Sequence, residues 1–281
     1  MRLRPDVPVL ARPDGSLQVG LASQIIFDDL NDTARAWVQK LERSGIPATH
    51  EDIQTYADVI ATIPSALYED STPERRRLAH TKVRMRGINQ VTKATARILA
   101  DAGVGALSVG SARTLHESPM ARDIYKEVAD VHPGIRRLGE HEPAHVEIVT
   151  GPGAIDEVVA YKLMSHDRVH VPVTWDEAGV SVGPLVEPGH GPCTRCVGLA
   201  HVDADSAWPF LIAQVAARPV TTHIPADIAT LTAAFVARMV LDFLLKSRAA
   251  AGIWRISRER TSAIEFREVK IHPRCGCATP L

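Results

Sequence analysis

The sequence predicts an α/β protein in two parts: a small winged-helix-like domain over residues 1–72, and a larger α/β domain over residues 80–281 that carries a structural zinc site. Three observations predict it. The chain opens with short apolar runs separated by turn residues, strands then alternate with helical stripes, and the four cysteines form two close pairs. With 281 residues and 45% hydrophobic content, the chain can bury two separate cores.

The first elements are strands. Residues 7–12 and 17–21 flank Pro13-Asp-Gly-Ser16, and Asp-Gly between alternating apolar residues is a strong hairpin signal. Residues 24–27 read as a third strand. Asn31 or Asp32 caps a helix on which Ala34, Trp37, Val38 and Leu41 fall at i, i+3, i+4 and i+7, a core stripe that Gly45 stops. Thr49 opens a second helix with Ile53, Tyr56, Ala57 and Ile60 on one face, and residues 63–68 add another short one. The second helix carries Glu51 and Asp52 at its start and no Lys or Arg through Leu67. A helix that enters the major groove brings cations to phosphates and base edges, so this one does not suit DNA. A peptide-recognition use fits better, with a partner segment adding to a sheet edge.

Residues 71–77, Ser-Thr-Pro-Glu-Arg-Arg-Arg, are polar and punctuated by Pro, and read as the domain linker with a solvated arginine face. Beyond it, residues 81–86 read as strand, 88–102 as helix and 106–109 as strand, a βαβ unit. Helix at 119–129, strand at 145–150, helix at 154–165 and strand at 168–174 extend it into a largely parallel sheet. Residues 227–245 read as a long buried helix. Residues 253–257 and 264–271 read as a hairpin that delivers the last two cysteines.

Those cysteines stand in Gly189-His-Gly-Pro-Cys193-Thr-Arg-Cys196 and His272-Pro-Arg-Cys275-Gly-Cys277, the pairs being 275 − 196 = 79 positions apart. Four thiolates around one ion are what structural zinc prefers, and a Gly/Pro turn lets two of them point at one atom. A redox pair and two disulfides are the alternatives; the N-terminus MRLRPDVPVL, lacking a continuous apolar signal region, disfavours the second. With all four thiolates on the metal there is no open position to activate water and no thiol left as a nucleophile. His190 and His272 lie beside the pairs and could support the ligands from behind.

Overall charge excludes other classes. Lys and Arg number 32 against 33 Asp and Glu, so no basic field draws in nucleic acid. The apolar run at 231–245 is interrupted by Arg238 and Asp242 and reads as too short to span a bilayer. A cytoplasmic protein without a membrane partner is expected.

Residues Val83-Arg-Met-Arg-Gly87 through Leu99-Ala-Asp-Ala-Gly103-Val-Gly105-Ala-Leu-Ser-Val109 resemble the opening of the ThiF, MoeB and ubiquitin-activating-enzyme family. That opening is a strand, a glycine-rich turn, a helix and an aGvG turn into a second strand, and the family closes its fold with two cysteine pairs. A closer likeness is to the ThiF-like azole cyclodehydratase components and leader-peptide-binding proteins of bacterial thiazole/oxazole-modified peptide pathways. It rests on Val182-Gly-Pro-Leu-Val-Glu-Pro-Gly-His-Gly-Pro-Cys193-Thr-Arg-Cys196, on Asp203, Asp205, Trp208 and Pro209 downstream, and on the terminal His-Pro-x-Cys-x-Cys.

The resemblance implies a ThiF-like Rossmann-type fold, zinc on Cys193, Cys196, Cys275 and Cys277, an N-terminal winged-helix peptide-recognition domain, a peptide or protein partner, and a homodimer by analogy with the activating enzymes. The sequence also departs from the family. Asn89 and Thr92 occupy the second and third glycine positions of the phosphate loop that begins at Gly87, where side chains block the approach of phosphate to backbone. Ser111 stands where the family has an acidic residue for the nucleotide. Nucleotide binding is therefore not expected, Arg113 and Lys126 read as surface residues, and His132, His141, His145, His166, His170, His201 and His223 are too scattered to suggest a catalytic pair. The expected function is recognition of a peptide partner by a degenerate, non-adenylating protein; an ATP-dependent adenylyltransferase or cyclodehydratase component with an altered loop is the alternative.

Overall fold

The computed structural model describes residues 2–22, 25–43, 54–63, 67, 72–111, 119–218, 224–246, 251–259 and 264–277. Two compact units make up the chain, Met1–Glu74 and Arg75–Leu281.

In the first unit β1 (Val9–Ala11), β2 (Leu17–Val19) and β3 (Ile25–Phe27) form an antiparallel sheet in that order. The expected hairpin turn is built by Asp14, whose Oδ1 accepts hydrogen bonds from the Ser16 amide at 3.0 Å and hydroxyl at 2.6 Å, while Gly15 takes a φ of +85°. Helix α1 (Asp32–Arg43) starts where Asn31 Oδ1 accepts from the Ala34 amide at 2.8 Å, and it buries Ala34, Trp37, Val38 and Leu41, the stripe read from the sequence. Helix α2 (Ala57–Thr62) follows, and Tyr56 just ahead of it stacks on Trp37 with ring centroids 4.6 Å apart. Thr49, Ile53 and most of the helix expected at 63–68 lie outside the described residues.

The two units divide between Glu74 and Arg75, inside the stretch expected to be the linker, and that stretch is helical, as α3 (Thr72–Ala79). Pro73 stands in its first turn, where a missing N–H costs nothing and a fixed φ favours the helix, so this proline starts an element and does not interrupt one.

The second unit is organised on an eight-stranded sheet of order β11-β10-β9-β8-β7-β4-β5-β6. Strands β4 (Lys82–Arg86), β5 (Ala106–Gly110), β6 (Arg136–Arg137), β7 (Val146–Pro152) and β8 (His170–Asp176) run parallel; β9 (Gly179–Val182), β10 (Gly252–Ser257) and β11 (Ile264–Glu268) continue antiparallel. From β4 the chain winds outward through β5 and β6, then returns to lay β7 and β8 on the other side. The β4/β7 junction is thus the topological switch point, where open α/β sheets hold ligands beyond the carboxyl ends of their strands.

Helices α4 (Gln90–Asp101) and α9 (Ala226–Lys246) pack on each other and on the face formed by Val83, Met85, Ile148, Val171 and Val173. On the opposite face Val149 packs with Ile155 and with Val159 and Leu163 of α6 (Glu157–Ser165). Helix α5 (Pro119–Val131) buries Ala121, Ile124 and Val128. Helix α9 differs from expectation in two ways. It is buried along one stripe only, Leu231 being exposed, and its apolar stretch runs from Ala226 to Leu245, long and apolar enough by length and composition to cross a membrane. In this fold it covers the sheet, and the two charges that interrupt it, Arg238 and Asp242, pair with each other at 2.9 Å one turn apart.

Candidate functional site

At the switch point β4 is followed by Gly87, whose φ is +114° and where a Cβ would collide with Thr150 Oγ1 on β7. Only glycine allows so close an approach. The next turn starts α4, and Asn89 is its N-cap: Asn89 Oδ1 accepts from the Thr92 amide at 3.0 Å, while Thr92 Oγ1 accepts from the Asn89 amide at 2.9 Å. This is a reciprocal capping box built with threonine. Asn89 Nδ2 then donates to Thr150 Oγ1 at 2.9 Å, fastening the loop to β7. Asn89, Thr92 and Thr150 are all buried.

In a phosphate loop the free amides of the helix start are what the anion binds. Here side chains of the chain itself occupy amides of that start. Ser111 follows Gly110, the last residue of β5, and is half-buried, so a hydroxyl and not a carboxylate stands at that strand end. Arg113 falls outside the described residues, and Lys126 is exposed on α5.

Below the loop lies a row of charge that the sequence reading missed. Strand register places Arg84, Glu147 and His170 side by side on β4, β7 and β8. Their relative exposures are 4%, 2% and 0%. Glu147 Oε1 lies 3.5 Å from Arg84 Nη1, and its Oε2 accepts from Arg86 Nε at 2.5 Å. Arg84 Nη2 also donates to the carbonyls of Gly139 and Glu142 at 2.6 and 2.8 Å. Burial pulls the Arg84 guanidinium below its usual range, against the pull of Glu147. His170 Nδ1 lies 2.8 Å from the Arg168 carbonyl, so Nδ1 carries the proton and Nε2 is a bare acceptor. Burial holds His170 below its ordinary value. Only the alternation of β4 and β7 hinted at the row, because Arg84 and Glu147 lie 147 − 84 = 63 positions apart and Glu147 and His170 lie 170 − 147 = 23 apart.

The four cysteines meet at the other candidate site. Cys193 is the N-cap of α7 (Thr194–Ala204) and Cys196 lies in its first turn; α8 (Trp208–Ala217) follows. Neither helix was foreseen. Cys275 and Cys277 arrive from the segment after β11. The Sγ atoms lie within 4.8 Å of one another, with Cys193 to Cys196 at 3.9 Å, Cys193 to Cys275 at 3.4 Å and Cys196 to Cys277 at 3.4 Å. Tetrahedral ligation at about 2.3 Å per bond requires sulfur separations of about 3.8 Å. The separations far exceed a disulfide bond, and all four thiols are free. The cluster could therefore hold a metal ion.

Burial pushes the Cys275 thiol up to about 11 and the Cys277 thiol up as well, with the Cys193 and Cys196 thiols adding to both. Burial also acts against the Cys196 thiolate, but the backbone amides of His272 and Cys193 prevail and hold that thiol below its ordinary value. The His272 amide donates to Cys196 Sγ at 3.4 Å, and the His272 ring is fixed by Asp203 Oδ2 at 2.8 Å on the last turn of α7. His272 thus supports the Cys196 sulfur through its backbone. His190 is exposed, with its Nδ1 at 3.3 Å from the Pro188 carbonyl.

No protein-family profile and no curated protein matches this sequence. Solved structures do match. E. coli MccB aligns with a TM-score of 0.64 at 13% identity, over 99% of this chain and 96% of that one. The structure of E. coli MccB with ATP aligns at 0.63 and 14% identity, over 99% of both chains. The microcin C7 biosynthetic enzyme MccB in complex with N-formylated MccA aligns at 0.61 and 14% identity, again over 99% of both. What is shared at this identity is the fold, the ThiF-like α/β fold that the sequence led us to expect.

Proposed function

We propose that this chain is a ThiF-like protein that binds a peptide or protein partner and does not adenylate it, the partner being the leader peptide of a ribosomally made modified peptide. The observation that carries this reading is the capping box of Asn89 and Thr92, which ties up two of the amides at the start of α4 that an anion would otherwise meet. The fold-sharing MccB has been crystallised with MccA, which supports a peptide as the partner class. Residues 1–72 serve as the winged-helix-like recognition domain. Among the described residues no strand pairs with the outer edge of β3, and an extended peptide adding to such an edge gains main-chain hydrogen bonds in register.

The cysteine cluster holds zinc in this reading. Four thiolates close the coordination sphere, so the ion fastens the C-terminal segment to α7 and leaves catalysis aside. Titrating the intact chain with peptides encoded beside its gene tests the proposal. Saturable binding without ATP is expected, and a chain that binds none of them with or without ATP would count against it.

A second reading is an ATP-dependent adenylyltransferase or cyclodehydratase component with an altered loop. The structure of MccB with ATP favours it, since the same fold accommodates the nucleotide there. Peptide binding that appears only with ATP and magnesium would select it.

A further inference from the structure

The near-neutral charge of the whole chain conceals a division between its two units. Residues 1–74 hold 6 Lys and Arg against 12 Asp and Glu, a net charge of 6 − 12 = −6. The remaining residues hold 32 − 6 = 26 against 33 − 12 = 21, a net charge of +5. The unit with the small sheet therefore carries a negative field of its own, which attracts cations and repels nucleic acid and anionic lipid.

The pairing inside the small sheet fixes which backbone groups its last strand offers. The Arg12 amide donates to the Ser16 carbonyl at 3.0 Å and the Gly20 amide to the Pro8 carbonyl at 2.8 Å. Hydrogen-bonded and non-bonded pairs alternate along an antiparallel ladder, so the Leu10 and Gln18 pair between these two is also bonded. Gln18 thus turns its backbone groups to β1, and Leu17 and Val19 turn theirs to Phe27 and Ile25 of β3. Ile26, between those two, turns its amide and carbonyl outward. Its side chain is 37% exposed, on the face opposite to the buried Phe27.

The charge next to this edge has one sign. Asp28 and Asp29 follow β3 directly and Asp32 begins α1; all three are exposed and none forms an ion pair with a described residue. No Lys or Arg occurs from Pro13 to Ala34. The cations on either side of that stretch are engaged elsewhere. Arg12 donates to Gln18 Oε1 at 2.8 Å and lies 3.8 Å from Asp14, and Arg35 donates to the Gly15 carbonyl at 2.6 Å.

Taking the chain as a peptide binder, as proposed above, we infer that the peptide it receives at β3 is cationic. An extended segment pairs with Ile26 through its backbone and sets Lys or Arg side chains against Asp28 and Asp29. The ladder supplies bonds that any sequence can make, and the carboxylates select among sequences by charge.

A library of random decapeptides displayed on phage and selected on the intact protein at 0.15 M salt, where general attraction is screened, tests this. Enriched peptides should carry an excess of Lys and Arg over the unselected library and a deficit of Asp and Glu. Titration of an enriched peptide should show the Kd raised roughly tenfold or more by the double reversal Asp28→Lys with Asp29→Lys, two exposed sites. Ile26→Pro removes the outward amide while leaving the bonds to β2, and should abolish binding. Far-UV circular dichroism checks that each variant is folded, and either variant suffices if the other is not. Enriched peptides without a cationic excess overturn the inference and leave the peptide-binding reading standing. So do cationic peptides indifferent to the reversals or to the proline. A selection that enriches no peptide of any charge removes both.

Discussion

Asn89 and Thr92 each accept a hydrogen bond from the other's backbone amide, at 3.0 and 2.9 Å, and so close the start of α4 on itself. The resemblance to the activating enzymes places the second and third glycines of a phosphate loop at these two positions. Their pairing stabilises the helix start from within.

Asn89→Ala removes that cap and the bond from Asn89 Nδ2 to Thr150 Oγ1. The expected cost is about 1–3 kcal/mol, combining a lost N-cap with a buried hydroxyl left short of a partner. Urea denaturation reads it as a lowered midpoint. An unchanged midpoint means that the box contributes nothing to the fold.

Glu147 faces both Arg84 and Arg86 at 2% exposure. Glu147→Ala leaves two guanidinium groups beside an empty space, and breaking a buried pair in this way costs about 3–5 kcal/mol. Chemical denaturation of the variant measures the loss. A surface ion pair such as Arg4 with Asp6, treated in the same way, should lose far less.

His170 makes stability depend on pH. Burial keeps its folded pKa below the ordinary 6.5, so the unfolded chain takes up the proton first. Its stabilising contribution is fully present above pH 6.5 and is lost as pH falls from there toward the folded value. His201, lowered by burial and by the charge of Arg267, acts in the same direction. Thermal melts from pH 7.5 down to about 5 should fall more steeply for the wild type than for His170→Gln. Parallel curves would remove His170 from the account.

Cys275→Ser should lower the metal content and loosen the C-terminal segment together with α7. Structural zinc contributes on the order of 10–16 kcal/mol in finger peptides, more than the ~5–15 kcal/mol net stability of a typical domain. Elemental analysis paired with melting temperature checks it. Wild-type protein without metal, melting as the variant does, would contradict the structural role.

The cysteine pairs and the βαβ alternation were legible in the sequence because each is a local pattern. The stripe Ala34, Trp37, Val38 and Leu41 was legible for the same reason, and all four residues are buried on α1. Helix α7 was not, since Gly189-His-Gly-Pro192 reads as a turn and masks the helix that Cys193 opens. Helix α8 has no buried residue and so no apolar stripe set against a polar face. Pro73 was read as punctuation, although a first-turn proline starts a helix equally well. The row of Arg84, Glu147 and His170 exists only through the register of three strands, which no window of sequence contains. Asn89 and Thr92 were read as missing glycines; their reciprocal bonding emerged only with the geometry.

The central claim is that this ThiF-like chain recognises without activating, and calorimetric titration of the intact, metal-replete protein with ATP and magnesium tests it most directly. The account predicts no binding heat at millimolar nucleotide. Saturable binding there, accompanied by pyrophosphate exchange, would contradict it.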